Sequence, residues 1–302
     1  MELTELQKKI IRTLACFTVL NRPLTLLELI NYLDRSITLK ELIEQLSQPI
    51  LQQYLQKNNG YYQLKSETNL LEIRNTRYQI AFKKIKIAQR AVKFLKHFPW
   101  VRGIAIYSSL SLKNSQETSD IDLFFVTSKR RVWSTRFFIN VVLKLLKLRP
   151  SQENTKNKLC ISYLVAEDFL DLSKVNYDND YYYYYLGPAS FVFLYQAPTI
   201  KEKFIKTNQW IKEILPNWQP IESINVSSDL GKIKLLLEKI LSVLSEKQLK
   251  KLQLKILPTK YLKSCDGKKV ILDDNIIKLH DNDKRDLFNA NFKKKIEQIF
   301  YA

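Results

Sequence analysis

Between Thr4 and Leu20, apolar side chains fall at Leu6, Ile10, Ile11, Leu14 and Phe17, the three- and four-residue spacing of one helix face. Two shorter helices are predicted to open at Thr25 and Thr38, each followed three residues later by a glutamate, Glu28 and Glu41. In that arrangement the hydroxyl and the carboxylate each satisfy a backbone N–H at the helix start. Tyr54-Leu55 and Tyr61-Tyr62-Gln63-Leu64 then flank Asn58-Asn59-Gly60, which reads as strand, turn, strand. Three helices and a hairpin make residues 1–66 a winged-helix-like module.

From Thr68 to Phe98 the pattern predicts one long helix, with Ile80, Ala81, Ala88, Ala91, Val92 and Leu95 as its apolar stripe. Its other faces carry Arg74, Arg77, Lys83, Lys84, Lys86, Arg90, Lys93 and Lys96, and Pro99 should end it. Beyond Pro99 the period becomes extended. Gly103–Tyr107, Ile121–Val126 and Leu159–Val165 read as strands, with a helix over Thr135–Leu148. From about Pro198 the chain reads as mainly helical, including one long amphipathic stretch from Ile233 to Ile256. A small hairpin is expected from Tyr261–Cys265 and Lys269–Leu272 around Asp266-Gly267, before a last helix from Lys284 to Phe300 that Asn282 or Asp283 can cap. The fold class is α+β, divided into the module at 1–66, a connecting basic helix at 67–99, a mixed-sheet core at 100–197 and a helical C-terminal region at 198–302.

Composition narrows the chemistry. Five glycines in 302 residues, Gly60, Gly103, Gly187, Gly231 and Gly267, all lie far apart. Dinucleotide-binding GxGxxG, the GxxxxGK phosphate loop and the GxSxG nucleophile elbow each need closely spaced glycines and are excluded. His97 and His280 are too distant for a zinc HExxH, and Cys16, Cys160 and Cys265 show no CxxC spacing. Scattered cysteines suit a reducing compartment. Without a basic, apolar leader or a 20-residue apolar run, the expected location is the cytoplasm. The net charge of +19 favours anionic partners without choosing among them.

The informative stretch is Ile106-Tyr107-Ser108-Ser109, a ten-residue gap, then Asp120-Ile121-Asp122 and the apolar run Leu123–Val126. In a strand, Asp120 and Asp122 project from one side about 7 Å apart. Two carboxylates that close repel unless a cation lies between them, and Mg²⁺ suits such a pair when substrate phosphate completes its shell. Ser108 and Ser109 offer hydroxyls and backbone N–H groups to phosphate. Lys113, just beyond, and Arg136, in the first turn of the next helix, are candidate charge partners.

Over roughly Val101 to Val126 this stretch resembles the DNA polymerase beta-like nucleotidyltransferase superfamily, whose hallmark is a strand, Gly-Ser, a gap of about ten residues and Asp-x-Asp on the next strand. The resemblance implies transfer of a nucleoside monophosphate from a nucleoside triphosphate such as ATP to an acceptor hydroxyl. Asp120 and Asp122 would hold Mg²⁺ or Mn²⁺ as metal ligands and catalytic groups, and Ser108 and Ser109 would seat the triphosphate. The chain departs from the family twice. Ser108 replaces the usual glycine, and the following core strand, Leu159–Val165, lacks the third carboxylate; Glu167 and Asp168 lie just past its end. A degraded relative that binds nucleotide or a partner without turnover is therefore the alternative.

Other features read more plainly. The stretch with Arg130, Arg131, Arg136, Lys144, Lys147 and Arg149 has an apolar face of Phe137, Phe138, Val141, Val142, Leu145 and Leu146. It reads first as a core-packing helix with solvated cations, with triphosphate and acceptor binding beside the site, or a membrane-surface helix, as the alternatives. Nucleic acid is the less favoured partner, because the candidate recognition helix sets Glu41 and Glu44 against Lys40. The Tyr181–Tyr185 tract reads as a loop or strand edge, and neither histidine as catalytic.

Overall fold

The computed structural model describes residues 2–66, 68–151, 153–175, 185, 187–224, 231–265, 269–279 and 285–300. Tyr181–Tyr184, Asp266-Gly267, His280 and the caps Asn282 and Asp283 lie outside them. The chain is mixed α+β, with a three-stranded antiparallel sheet and a six-stranded mixed sheet.

The N-terminal module contains α1 (Glu5–Val19), β1 (Leu24–Thr25), α2 (Leu26–Asn31), α3 (Leu39–Ser47), α4 (Pro49–Gln52), β2 (Leu55–Asn58) and β3 (Tyr61–Leu64). Both expected capping boxes form, Thr25 with Glu28 and Thr38 with Glu41, and a third, Thr4 with Gln7, opens α1. The turn at Asn59-Gly60 takes two positive φ angles, which glycine and asparagine tolerate best. Strand β3 pairs with both β1 and β2.

Helix α5 (Leu70–Leu95) follows, with Asn69 accepting the Glu72 N–H as its N-cap. Next come β4 (Val101–Ile106), α6 (Ser108–Ser111), β5 (Ile121–Thr127), α7 (Val132–Leu145), β6 (Leu159–Ala166) and β7 (Val192–Gln196). The C-terminal part adds α8 (Ile200–Thr207), α9 (Ile211–Ile214), α10 (Lys232–Leu241), α11 (Glu246–Ile256), α12 (Thr259–Lys263), β8 (Val270–Leu272), β9 (Ile276–Leu279) and α13 (Arg285–Phe300). The large sheet runs β7-β4-β5-β6-β9-β8, with β5 and β6 parallel and every other pair antiparallel. Its central strands are buried on both faces, which is why they read as unbroken apolar runs. Ile104, Ile106, Leu123 and Phe125 meet α5 and α7 on one face; Ala105, Phe124 and Val126 pack with Phe191, Phe193 and Phe204 on the other.

Two local expectations are corrected. Tyr261–Cys265 is not a strand: Thr259–Lys263 is helical after Pro258, and β8 pairs instead with β9. The turn between them closes through Asp273, whose side chain accepts the Asn275 N–H at 2.9 Å. The stretch Ile233–Ile256 breaks into α10 and α11, because Ser245 caps a new helix and Glu246 is drawn to α7. There the Glu246 carboxylate accepts the N–H groups of Trp133 and Ser134 at the start of α7. Helix α7 packs on the sheet as expected, but through Val132, Trp133, Ile139 and Leu143, leaving Val141, Leu145 and Leu146 exposed. Strand β7, unforeseen in the pattern, pairs with β4 at the sheet edge.

The C-terminal region packs back onto the N-terminal module, where Phe288 and Phe292 of α13 join Ile10, Leu14 and Phe17 of α1. A polar cluster ties the module to α5 and the core. Glu28 pairs with Arg22 at 2.5 Å and Arg74 at 2.8 Å, while Arg22 Nε donates to the Leu112 carbonyl at 3.0 Å.

Candidate functional site

Strands β4 and β5 are antiparallel, with Ile106 opposite Leu123, so the end of β4 and the start of β5 lie side by side. The chain leaves β4 through Ser108 and Ser109 and returns at Asp120 and Asp122. All four residues line one cleft of about 740 Å³. Its floor is aromatic: Tyr107 lies 5.9 Å from Tyr163 and 5.4 Å from Phe191, ring centre to ring centre. The Tyr107 and Ser162 hydroxyls are 3.3 Å apart.

A third group joins the carboxylates. Ligand-capable atoms of Asp120, Asp122 and Cys160 all lie within 4.8 Å of one another. Parallel pairing sets Cys160 opposite Asp122, and the next partners, Phe124 and Tyr163, require one extra residue on β6. This irregularity is a bulge, a device that re-aims side chains beside a site. Burial, followed by the Asp122 and Asp120 carboxylates, pushes the Cys160 thiol well above its usual range.

Ser108 occupies the left-handed region at φ 61°, where an L side chain is crowded and glycine is not. Its carbonyl accepts the Ser111 hydroxyl, which bonds on to buried Ser190 at 3.0 Å. Lys84, on the long basic helix, has 1% of its surface exposed. Its ammonium donates to the carbonyls of Glu117 (3.2 Å) and Ser119 (2.6 Å) and to Asn157 Oδ1 at 3.0 Å. It clamps the loop leading into Asp120 against the loop leading into β6.

The other candidates lie elsewhere. Lys113, itself left-handed at φ 55°, sets its ammonium over the Tyr78 ring and is not among the cleft-lining residues. Arg136 is buried under α11, donating to Gln253 Oε1 at 2.8 Å, and does not line the cleft either. Burial, with Arg149 nearby, lowers its pKa to about 10. Glu167 and Asp168 sit at the far end of β6, against Lys129; seven residues at about 3.3 Å each separate Glu167 from Cys160. They cannot replace the absent acid.

The cleft's cations come from remote segments: Arg77 of α5, Lys278 of β9 and Arg285 of α13. Arg77 also donates to the Leu20 carbonyl and Asn114 Oδ1. One signal pointed to Lys278, a lone lysine amid Ile276, Ile277 and Leu279. Arg285 carried none, because its approach depends on how the C-terminal helix packs. Two carboxylates suit a hard divalent cation such as Mg²⁺ or Mn²⁺, whereas a thiol suits softer metals. The donor set thus combines two ligands of the hard kind with one of the soft kind. Comparison of the chain with family models, with curated proteins and with solved structures finds no match.

Proposed function

We propose that this chain is a nucleotidyltransferase dependent on Mg²⁺ or Mn²⁺, moving a nucleoside monophosphate from a nucleoside triphosphate to an acceptor hydroxyl. On this reading the six-stranded sheet is a nucleotidyltransferase-like core and the N-terminal module is winged-helix-like. The observation that carries it is the convergence of Ser108, Ser109, Asp120 and Asp122 on one cleft, from two adjacent strand ends.

In this scheme Asp120 and Asp122 would hold the metal, which when bound would supply charge neutralisation for the triphosphate. Ser108 and Ser109 seat the phosphate tail, and Arg77, Lys278 and Arg285 supply a cationic wall to the same cleft. The acceptor oxygen would bond to the α-phosphorus as its proton passes to solvent, the bridging bond to the β-phosphate would break, and pyrophosphate would leave.

Thermal unfolding with ATP, GTP, CTP or UTP, with and without Mg²⁺, tests the reading. A nucleotide at 100 times its dissociation constant adds about 2.7 kcal/mol of stability. Metal-dependent stabilisation that Asp120→Asn abolishes is the expected result; no stabilisation by any nucleotide refutes it.

Cys160 favours a second reading. The β6 strand brings a thiol, and not a third carboxylate, to the acid pair, so the cleft would bind metal–nucleotide without transferring it. Turnover of any nucleoside triphosphate to pyrophosphate by the wild-type chain eliminates this alternative.

A further inference from the structure

Helix α10 is amphipathic in reverse. Two of its charged residues, Lys234 and Glu238, face the protein: Lys234, 3% exposed, donates to the carbonyls of Lys96 and Val101. Glu238 takes Arg102 in a two-pronged ion pair at 2.7 and 2.8 Å and accepts the Trp100 N–H at 2.7 Å. These contacts fix the helix's rotation, because turning it would strand buried charges. Its apolar stripe consequently faces outward. Ile233 is 76% exposed and Ile240 59%, with Leu236 and Leu237 also exposed between them, Leu235 exposed on another side, and Val243, in the turn just past the helix end, 85% exposed. The spacing of Ile233, Leu236, Leu237 and Ile240 is that of one helix face.

Charge identifies the occupant. Lys232 and Lys239 are exposed and, at 3.6 residues per turn, fall along one edge of the stripe. The following helix, α11, also carries exposed lysines, Lys247, Lys251 and Lys255. The acids of this segment are engaged inward, Glu238 with Arg102 and Glu246 with the start of α7. A second copy would bring another chain of net charge +19 against this rim. An anionic surface with an apolar interior satisfies both parts of it.

We propose that α10 and its basic rim form a docking surface for anionic phospholipid bilayers, with the helix lying in the headgroup layer and its lysines at the phosphates. No helix among the described residues is long and apolar enough to cross a membrane, so the contact is peripheral. The helix docks at the Val101 end of β4, whereas Ser108 follows the opposite end. A docked molecule would keep its cleft open to solvent.

The test is co-sedimentation of the full chain with vesicles of phosphatidylcholine alone or mixed with phosphatidylglycerol, at low and high salt. The expected result is pelleting with the anionic vesicles, weakened by salt and reduced about tenfold in Ile240→Glu. Val243→Glu, at an even more exposed position, repeats the test should Ile240→Glu unfold, which circular dichroism reports. No pelleting of wild type with anionic vesicles, or equal pelleting of both folded variants, overturns the proposal. Dimerisation that these variants abolish, seen by light scattering, overturns it in favour of a second copy.

Discussion

Cys160 stands opposite Asp122 in the parallel register of β5 and β6, its sulfur among the carboxylates of Asp120 and Asp122. Cys160→Asp would put three carboxylates where two now sit. Without metal, their mutual repulsion should lower stability by about 1–3 kcal/mol. Adding Mg²⁺ should restore it, and nucleotide turnover should rise above wild type. Thermal unfolding with and without Mg²⁺, alongside a pyrophosphate-release assay, checks both expectations.

The bond from Lys84 to the Ser119 carbonyl, one residue before Asp120, makes this lysine a positioning residue for the acid pair. Lys84→Met should leave buried carbonyls unsatisfied at a cost of about 2 kcal/mol. It should also weaken Mg²⁺-dependent nucleotide stabilisation, while Lys84→Arg keeps part of it. Titration of both variants with Mg²⁺ at fixed nucleotide separates lost positioning from lost stability.

Ser108 holds a left-handed backbone without being glycine. Ser108→Gly should relieve about 1–2 kcal/mol of strain, less roughly 0.5–1 kcal/mol for the freer unfolded chain. The expected net gain is small. Ser108→Val, with a branched side chain at positive φ, should instead lose at least about 1 kcal/mol. Urea unfolding of the pair measures the difference directly.

Glu28 sets the acid limit of the module's attachment. Burial pushes its carboxyl up, but the hydrogen bonds and charges of Arg74 and Arg22, with the Thr25 N–H, outweigh it and hold the pKa at about 2. A carboxyl that ionises at lower pH in the folded chain stabilises it above the unfolded value of 4.5, and that stability fades as pH falls toward 2. It corresponds to about 3 kcal/mol at neutral pH. Unfolding of wild type and Glu28→Gln at pH 7 and pH 3 should show the gap between them shrinking to roughly half or less.

The elements that rest on local pattern were legible in the chain. Capping boxes at Thr25 and Thr38, the Asn59-Gly60 turn, and the strands leading to Ser108 and from Asp120 form where spacing placed them, because neighbours in sequence make those contacts. The convergence of Ser108, Ser109, Asp120 and Asp122 was legible too, since adjacent antiparallel strands bring their joined ends together. The hairpin at Tyr261–Cys265 was misread because a strand needs a partner, and the better partner for β8 was Ile276–Leu279. Arg136 and Lys113 were placed at the cleft by sequence proximity alone, whereas packing under α11 and a left-handed turn sent them elsewhere.

The amino-acid sequence alone determined the order of most helices and strands, the paired carboxylates and the double-sided burial of β4 and β5. Periodicity and capping act over a few residues, and those signals survive without the fold. Tertiary structure decided that Cys160 faces Asp122, that Lys278 and Arg285 reach the cleft, and that α10 turns its apolar side outward. Register, a bulge and the pairing of Glu238 with Arg102 set those outcomes. Each depends on contacts between residues far apart in the chain, which no local pattern encodes.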